Sequence, residues 1–445
     1  MAIGFVAEAF EVHEISQFSV SQTIVAHVHE QLDIVERVTI DFAATPRAPY
    51  VGPEPDSSPI EVNYGSRLLE QLALLSFPDA ALYLEENPRA VDDVLARPPV
   101  ASDVRLWWNS MTSERQATLR ELSPNLVGNL DGIPYATRDI ANRDLLTGSI
   151  AELESTIARE PGRTIVENAK YSLRMLESIA AALEVDARPT LLSLDTAGQG
   201  RAAIVVGDLR TADYVTYLVP GMFFTIENQM GDWVDAATSL HDQQLDWLAR
   251  FDEPRSMVAT VAWIGYHTPN LTNVGAIDNA YEGRDALANA IQGLAAVRAG
   301  DQPYVTIVAH SYGSTAALMA LTEFDFTVDA LAMVGSPGSP AKSANDLHVR
   351  NGNVFVGEAA WDPIPNSSYF GSDPGAQSYG ATALGVAGGV DVITHETLLA
   401  STGHNEYFSA GTESMRNFAL IGIGRGEYVS GADSHTVVKA AGFMR

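Results

Sequence analysis

The sequence predicts an α/β fold with a mostly parallel central sheet, flanked by helices and preceded by a largely helical N-terminal region. From about residue 186 onward, short apolar runs of β type alternate with segments of helical periodicity, which is the pattern of βαβ units. Before that point, helical patterns separated by proline-containing breaks dominate. We therefore expect two domains, at residues 1–185 and 186–445, the first being a candidate cap on the second.

The composition restricts the classes of function. Hydrophobic residues make up 46% of the 445 positions, which is ample for globular packing. The formal net charge of -29 disfavours binding to nucleic acid or to anionic membranes, because both would repel the chain. The chain has no cysteine, which excludes disulfides, thiol catalysis and cysteine-ligated metal ions. We expect neither a cofactor nor a metal.

The first residues do not have the features of a Sec-type signal. Residues 1–18 lack a basic segment and include Glu8, Glu11 and Glu14. No run approaches the roughly 18 apolar residues that a transmembrane helix needs. We therefore expect no integral membrane association and a cytoplasmic location by default, with export by a route that leaves no cleavable signal as the alternative.

The N-terminal region is expected to be mainly helical. It has one alternating β-type segment at 38–42 and then a proline-rich loop at 43–59. The helical patterns that follow lie at residues 68–76, 103–122, 138–159 and 164–183. His27 and His29 have the two-residue spacing of ligands on one strand face, but no further ligand cluster accompanies them in the sequence. A structural role is therefore favoured over metal binding.

The second region contains the strands of the predicted sheet. Two strands, at 189–195 and 201–208, enclose a Gly-x-Gly turn that lacks the third glycine and the following helix of a dinucleotide site. Further strands are expected at 213–219, 257–265, 305–308, 330–334 and 353–356, with helices such as 283–298 between them.

Residues 305–317 carry the clearest chemical signal, because a β-type run there turns through a serine into a helix of small residues. This is the arrangement of a nucleophile elbow, which needs small residues two positions before and two positions after the serine. Ala309 and Gly313 meet that need. Ser311 would then present its hydroxyl at the edge of the sheet, where a histidine can take its proton.

A catalytic acid and a base are expected to follow the serine in that order. Asp362 comes shortly after the strand at 353–356, and a carboxylate there would lie on the same edge of the sheet as the elbow, so we interpret it as the acid. The alternatives are Glu358, Asp373 and Asp391. Glu358 lies within or at the end of the strand, and the other two lie in glycine-rich loop sequence.

Two late histidines are candidates for the base. His404 is preferred because it follows a Ser-Thr-Gly loop and opens an apparent helix at 408–421. His395 is the alternative, interpreted as a surface or capping histidine. His310 is expected to point away from Ser311 and to pack beside the sheet, because adjacent residues on an elbow diverge.

The oxyanion hole is expected to combine two backbone amides. One is the amide of Tyr312, the residue after the nucleophile, and the other comes from the loop after the strand at 213–219. Gly221 in that loop lets the backbone approach a substrate closely, so we predict the amide of Met222 as the second donor.

The segment at 223–233 mixes large apolar residues with polar ones. Phe223 and Phe224, together with Gly221, are candidates for lining a substrate pocket or forming a lid. The alternative is that this segment begins a helix packed on the sheet. The Trp107 region and the turn at 129–134 are further candidates for covering the site.

Several spaced motifs resemble those of an actinobacterial family of α/β-hydrolases of unknown function. They are His-Ser-Tyr-Gly-Ser-Thr at 310–315, Gly-Ser-Pro-Gly at 335–338, Asp-Pro at 362–363 and His404 with Tyr407, together with Trp107, Trp108, residues 128–134, Arg138, Asp139, Asn142 and Arg143. The resemblance covers most of the chain from about residue 100 onward. It implies an α/β-hydrolase fold with a serine hydrolase triad and indicates little about the substrate.

The function predicted from these residues is cleavage of carboxylic esters, of the esterase or lipase kind, through an acyl-enzyme on Ser311. His404 would move the proton, and Asp362 would orient the imidazole. The expected partner is a small-molecule or lipid ester, and the oligomeric state is left open. An acyltransferase or peptidase with the same triad is one alternative. A non-catalytic binding protein on a hydrolase fold is the other, and the complete set of three side chains argues against it.

Overall fold

An eight-stranded sheet lies at the centre of the protein in the computed structural model, which describes residues 65–185, 188–269, 276–365 and 367–431. All of these residues except Pro269 and Ala276 belong to one compact unit made of Val62–Thr268 and Ile277–Arg445. The features expected at residues 27–59 lie outside the described residues. The division into two domains near residue 185 stays a prediction.

The sheet is mostly parallel. Its strands are β1 (Thr190–Asp195), β2 (Arg201–Gly207), β3 (Tyr214–Val219), β4 (Val258–Ile264), β5 (Tyr304–His310), β6 (Ala330–Val334), β7 (Val354–Gly357) and β8 (Thr382–Ala383). Their order is β1-β2-β4-β3-β5-β6-β7-β8. β2 is antiparallel to its neighbours β1 and β4, and every other pairing in this sheet is parallel. A separate ribbon pairs β9 (Gly389–Val390) with β10 (Thr397–Leu398).

The central strands are apolar on both faces, which explains why helices cover the sheet on both sides. β4 has the sequence Val-Ala-Thr-Val-Ala-Trp-Ile, and all seven of its residues are buried, as are all five of β6. Parallel strands of this composition need a helical layer on each face. The predicted α/β architecture is therefore confirmed.

Helices occupy most of the remaining described chain. They are α1 (Ser66–Leu74), α2 (Phe77–Glu86), α3 (Ala90–Ala96), α4 (Ala101–Ser110), α5 (Ser113–Leu122), α6 (Pro124–Asn129), α7 (Tyr135–Ala158), α8 (Arg163–Ala182), α9 (Ile226–Arg250), α10 (Asp278–Val297), α11 (Tyr312–Glu323) and α12 (Glu413–Gly422). α8, α9 and α12 contribute to the core on one face of the sheet, and α10 and α11 to the core on the other. Among the described helices, none is both long and apolar enough to cross a membrane.

Two helices differ from the sequence prediction. The helix expected at 103–122 is divided into α4 and α5, because Thr112 has extended backbone (φ -67°, ψ 155°) and its hydroxyl caps the amide of Arg115. The helix expected at 408–421 begins only at Glu413, where the hydroxyl of Thr412 accepts from the amide of Met415. The candidate base therefore lies in a loop before α12 and does not open a helix.

The motif residues of the N-terminal region attach α6 and α7 to the edge strand β1. Asn129 accepts from the amide of Leu194 and donates to its carbonyl, both at 2.8 Å. Asn142 donates to the carbonyls of Gly128 at 3.0 Å and of Leu191 at 3.1 Å. Three strands separate β1 from β5. These residues therefore hold the helices to the sheet edge, which differs from the expectation that the turn at 129–134 covers the site.

The carboxyl ends of the parallel strands bring five chain segments to one edge of the sheet. Parallel strands that pair side by side end at the same edge, so the loops after β3, β4, β5, β6 and β7 meet there. A bridge between Ala360 and Thr402 joins the loop after β7 to the loop before α12. The amide of Gly403 donates to the carbonyl of Ala360 at 2.9 Å, which fixes the second loop beside the first.

Candidate active site

Ser311 lies at the sharp turn between β5 and α11. Its backbone has φ 52° and ψ -130°, a conformation that costs a non-glycine residue about 1–3 kcal/mol and persists only where the surroundings enforce it. The Ser311 amide donates to the carbonyl of Val334 at 2.9 Å. The Ser311 carbonyl accepts from the amide and the hydroxyl of Ser314, at 2.9 and 2.6 Å. A methyl group on Gly313 would collide with the carbonyl of Pro220, so only glycine lets the loop after β3 and helix α11 approach this closely.

His404 contacts both Ser311 and Asp362. Its Nε2 lies 2.7 Å from Ser311 Oγ, and its Nδ1 lies 2.9 and 3.0 Å from the two carboxylate oxygens of Asp362. A carboxylate only accepts hydrogen bonds, so Nδ1 carries the proton of the neutral ring and Nε2 is the acceptor of the serine O–H. The structure thus brings together the three side chains that the sequence nominated as nucleophile, base and acid.

The Asp362 carboxylate is fully buried and accepts three sets of hydrogen bonds. Besides His404, it accepts from the hydroxyl of Tyr407 at 2.6 Å and from the amide of Ile364 at 3.0 Å. Burial raises the pKa of Asp362, but the hydrogen bonds and charge of His404 and the bond from Tyr407 outweigh it and hold the pKa below its usual value. The group is therefore ionised and oriented at neutral pH.

Tyr407 links the acid to the loop after β7. Its hydroxyl donates to Asp362 and accepts from the amide of Ala359 at 2.8 Å, and its side chain is fully buried. The resemblance to the hydrolase family included this tyrosine three residues after the histidine, yet no property of the sequence identified its partner. Its hydrogen bonds explain the spacing, because the turn that carries His404 also carries the tyrosine to the carboxylate.

Gly335, just after β6, lies beneath the acid and the base. It has φ +60°, and a methyl group there would lie 2.9 Å from Asp362 Oδ2 and 3.0 Å from Cε1 and Nδ1 of His404. Both the backbone conformation and the lack of space require glycine. The first residue of the Gly-Ser-Pro-Gly motif therefore provides the room in which the acid and base meet.

His310, the last residue of β5, lies beside the base, closer than the sequence indicated. It is 3% exposed, and its Nε2 is 2.7 Å from the backbone carbonyl of His404. The two imidazole rings have centroids 4.7 Å apart. The expectation that it packs beside the sheet was incomplete, because the approach of the loop before α12 depends on tertiary packing that adjacent sequence does not reveal.

The loop after β3 lies against the serine. A methyl group on Gly221 would be 2.5 Å from Ser311 Cβ and 3.1 Å from its Oγ, so the backbone of this loop is in close contact with the nucleophile. The carbonyl of Pro220 accepts from the hydroxyl of Tyr266 at 2.7 Å, which anchors the loop. Met222 follows and is half-buried.

The two phenylalanines of this loop have different surroundings. Phe223 has φ 64° and is 37% exposed. Phe224 packs edge-on against Trp233, with centroids 4.8 Å apart, and its carbonyl accepts from Thr268. α9 begins immediately after this segment, at Ile226. The alternative interpretation, that this segment begins a helix packed on the sheet, therefore describes Phe224 better than Phe223.

The alternative acids and base have other contacts. Asp391 forms a buried ion pair with Arg416 at 2.5 Å, and Asp373 accepts from the amide of Gly375 in a turn. Glu358 is exposed just after β7. His395 is exposed, and its amide donates to the carbonyl of Asp391. In the described part of the chain, no group of three or more His, Asp or Glu residues could hold a metal ion.

The fold and the strained serine turn define the class of the protein as an α/β-hydrolase. The family described as "Alpha/beta hydrolase" matches residues 195–372. The uncharacterized protein Rv2079 of Mycobacterium tuberculosis is 28% identical over 433 residues, which cover 83% of this chain and 64% of that protein, so the chain spans less than two thirds of this relative. The uncharacterized protein Mb0988c of Mycobacterium bovis is 31% identical over 196 residues, covering 42% of this chain and 73% of the relative. The chain belongs to an actinobacterial family of α/β-hydrolases of unknown function.

Solved structures show a distant likeness of fold. The hyperthermophilic esterase of Pyrobaculum calidifontis is 13% identical with a TM-score of 0.32, covering 62% of this chain and 96% of that one. Carboxyl esterase 2 of Tuber melanosporum is 12% identical with a TM-score of 0.31, covering 55% of this chain and 88% of that one.

Proposed function

We propose that the protein is a serine hydrolase that cleaves carboxylic esters through an acyl-enzyme on Ser311. The observation that supports this most directly is the continuous hydrogen-bonded chain from Ser311 Oγ to His404 Nε2, at 2.7 Å, and from His404 Nδ1 to Asp362, at 2.9 and 3.0 Å. A serine hydroxyl becomes a useful nucleophile when a positioned base can take its proton and a third group orients that base.

Acylation would begin with attack of Ser311 Oγ on the ester carbonyl carbon while His404 Nε2 takes the hydroxyl proton. The new carbon–oxygen bond gives a tetrahedral oxyanion, and the imidazolium is stabilised by the carboxylate of Asp362. Collapse of this intermediate breaks the bond to the alcohol, and His404 returns its proton to the departing alkoxide. The products of this half are the free alcohol and an ester of Ser311.

Deacylation would repeat the sequence with water. His404 takes a proton from the water as its oxygen attacks the acyl carbon, and the second intermediate collapses with return of that proton to Ser311 Oγ. The products are a carboxylic acid and the original enzyme. An acyltransferase would replace the water by another alcohol, and a peptidase would break an amide in the first half.

The amides of Tyr312 and Met222 are the proposed donors to the oxyanion. Close packing of Gly221 on Ser311 supports this assignment, because it keeps the loop backbone beside the atom that attacks. Each such donor contributes about 10²- to 10³-fold in rate. Gly221→Ala should therefore reduce kcat strongly even though no side-chain functional group is lost.

The proposed substrate is an uncharged ester with an apolar acyl group. Phe223, in the loop after β3, is 37% exposed, and Trp361, next to the acid, is 89% exposed, so both have surface available for an apolar chain. Phe224 already packs on Trp233 and contributes less free surface. The net charge of -29 disfavours an anionic substrate.

Hydrolysis of p-nitrophenyl butyrate and labelling by a fluorophosphonate probe test the proposal together. Wild-type protein should turn over the ester and carry the phosphonyl label on Ser311, located by peptide mass spectrometry. Ser311→Ala should lose both properties, and His404→Ala should lose turnover. His395→Ala is the matched control and should keep the wild-type rate, because that histidine is exposed.

The same experiment separates the alternatives. Retention of the wild-type rate in Ser311→Ala would disprove the assignment, and a wild-type protein that neither reacts nor is labelled would favour a binding protein. A panel of esters and amides, with and without added alcohol acceptors, distinguishes an esterase from a peptidase and from an acyltransferase.

A further inference from the structure

His310 makes a hydrogen bond to the backbone of the proposed base. Its Nε2 lies 2.7 Å from the carbonyl oxygen of His404. A carbonyl only accepts, so Nε2 carries the proton and donates it. The other ring nitrogen, Nδ1, is buried and has no hydrogen-bond partner among the described groups. The ring is therefore held by a single directed bond, and that bond goes to the loop before α12.

The surroundings of His310 keep the ring neutral and fixed. Its ring contacts those of His404, Phe224, Tyr407 and Phe408, with centroids 4.7 to 6.4 Å apart. Burial, and to a lesser extent the nearby charge of His404, lower the pKa of His310 to about 3, against smaller opposing contributions from the hydrogen bond and from Asp362. A neutral ring keeps the donor arrangement and adds no positive charge beside the imidazolium that forms during catalysis.

The bond joins the base directly to the element that carries the nucleophile. His310 ends β5, where its backbone pairs with Val334 of β6, and Ser311 is the next residue. Movement of the loop that carries His404 is thus restrained relative to Ser311 without use of either catalytic side chain. Building on the proposed function, we infer that His310 is a positioning residue that holds His404 at the nucleophile, and that this restraint matters most during deacylation.

Deacylation depends on the restraint because acylation removes another one. In the free enzyme the Ser311 O–H donates to His404 Nε2 and helps to hold the ring. Once Oγ is part of an ester it has no proton to donate, so the ring keeps its bonds to Asp362 alone. Its position then depends more on the backbone that carries it, which is held by the bond from His310 and by the bridge to the loop after β7. An error of about 1 Å in the position of a catalytic group can cost on the order of 10²-fold in rate.

Three substitutions of His310 separate hydrogen bonding from packing. His310→Gln places an amide nitrogen the same number of bonds from Cα as Nε2, so it can still donate to the His404 carbonyl. His310→Asn has the same chemistry one bond shorter, at the level of Nδ1. His310→Met fills similar space without a donor. Thermal melting of each variant shows whether it is folded. If the Met variant is unfolded, the comparison of the Gln and Asn variants is sufficient for the test.

Pre-steady-state hydrolysis of p-nitrophenyl acetate measures acylation as the burst and deacylation as the steady rate. We expect His310→Gln to keep both rates within about threefold of wild type, and the Asn and Met variants to lose about 10- to 100-fold in deacylation and clearly less in acylation. kcat and KM would then fall together, as expected when acyl-enzyme accumulates. A purely structural role would not change the ratio of the two steps.

Two results would overturn the inference. One is wild-type deacylation in folded Asn or Met variants, and the other is an equal loss of both steps in all three variants. A wild-type protein with no burst and no fluorophosphonate label on Ser311 would instead overturn the proposed function, and the inference with it.

Discussion

Tyr407→Phe removes one oxygen atom that makes two hydrogen bonds at the centre of the site. The hydroxyl donates to Asp362 at 2.6 Å and accepts from the amide of Ala359 at 2.8 Å, in a fully buried position. A hydrogen bond to a charged group contributes about 1.5–3 kcal/mol, and a buried amide left without an acceptor costs about 1–3 kcal/mol. The energies of these two neighbouring hydrogen bonds are not additive, so we expect the free energy of unfolding at neutral pH to fall by about 2–4 kcal/mol.

The loss should depend on pH with a defined sign. Burial raises the pKa of Asp362, but its hydrogen bonds from His404 and Tyr407 and the charge of His404 hold it below its usual value. A carboxyl group of this kind stabilises the protein above its unfolded pKa of about 3.9 and loses that contribution as the pH falls through the folded pKa. Without the tyrosine hydroxyl the folded pKa rises, so the deficit of the variant should be largest at neutral pH and smaller below about pH 4.

Urea unfolding near pH 7 and near pH 3.5, followed by tryptophan fluorescence, measures both parts of this prediction. Tyr379→Phe is the matched control, because Tyr379 is 2% exposed and its hydroxyl has no hydrogen-bond partner among the described groups. Removal of the Tyr379 hydroxyl should change the free energy of unfolding by less than about 0.5 kcal/mol. Equal losses in the two variants, or a Tyr407→Phe deficit that grows as the pH falls, would refute the reasoning.

Three further predictions address other residues of the site. Gly335→Ala should lower kcat at least about 100-fold, because the new methyl group would lie 2.9 Å from Asp362 Oδ2. The control Gly198→Ala has the same φ of +60° but lies in open space, so it should affect only stability. Comparable ester hydrolysis by the two variants would contradict this. Asp362→Asn should lower kcat about 10⁴-fold by favouring the wrong imidazole tautomer, and Asp373→Asn should leave it unchanged in the same assay. Urea titrations should show wild-type protein losing up to about 1.4 kcal/mol of stability per pH unit as the pH falls from about 6.5. The reason is that His310 stays neutral in the folded state, where its pKa is lowered to about 3, while the same residue takes up a proton in the unfolded chain. His310→Gln should remove this slope, and an unchanged slope would contradict the assignment.

The positions of the strands and of the three candidate catalytic residues could be predicted because local signals define them. Apolar runs such as β4 and β6 are buried on both faces, and their composition alone indicates this. Ser311 and Asp362 each follow such a run, so the rule that parallel strands end at one edge places both on the same side. His404 was found by its order in the chain and the loop that carries it.

The partners of these residues could not be predicted in the same way. Tyr407 and His310 contact the acid and the base because the loop before α12 is joined to the loop after β7, and that pairing of distant segments leaves no periodic pattern. The break between α4 and α5 had a local signal, since Thr112 is a good N-cap residue within the helical pattern. Helical periodicity on both sides of it concealed the cap.

Steric room controls the geometry of this site more strongly than any single hydrogen bond. Gly221, Gly313 and Gly335 lie around Ser311, the acid and the base, and each lets a backbone segment approach where a side chain would not fit. A methyl group on Gly221 would be 2.5 Å from Ser311 Cβ, 0.5 Å inside the 3.0 Å that real Cβ atoms keep. Relief of that overlap must move the serine or the loop after β3 by a similar distance. A shift of this size approaches the displacement that costs on the order of 10²-fold in rate, while the loss of a hydrogen bond worth about 1.4 kcal/mol costs about tenfold.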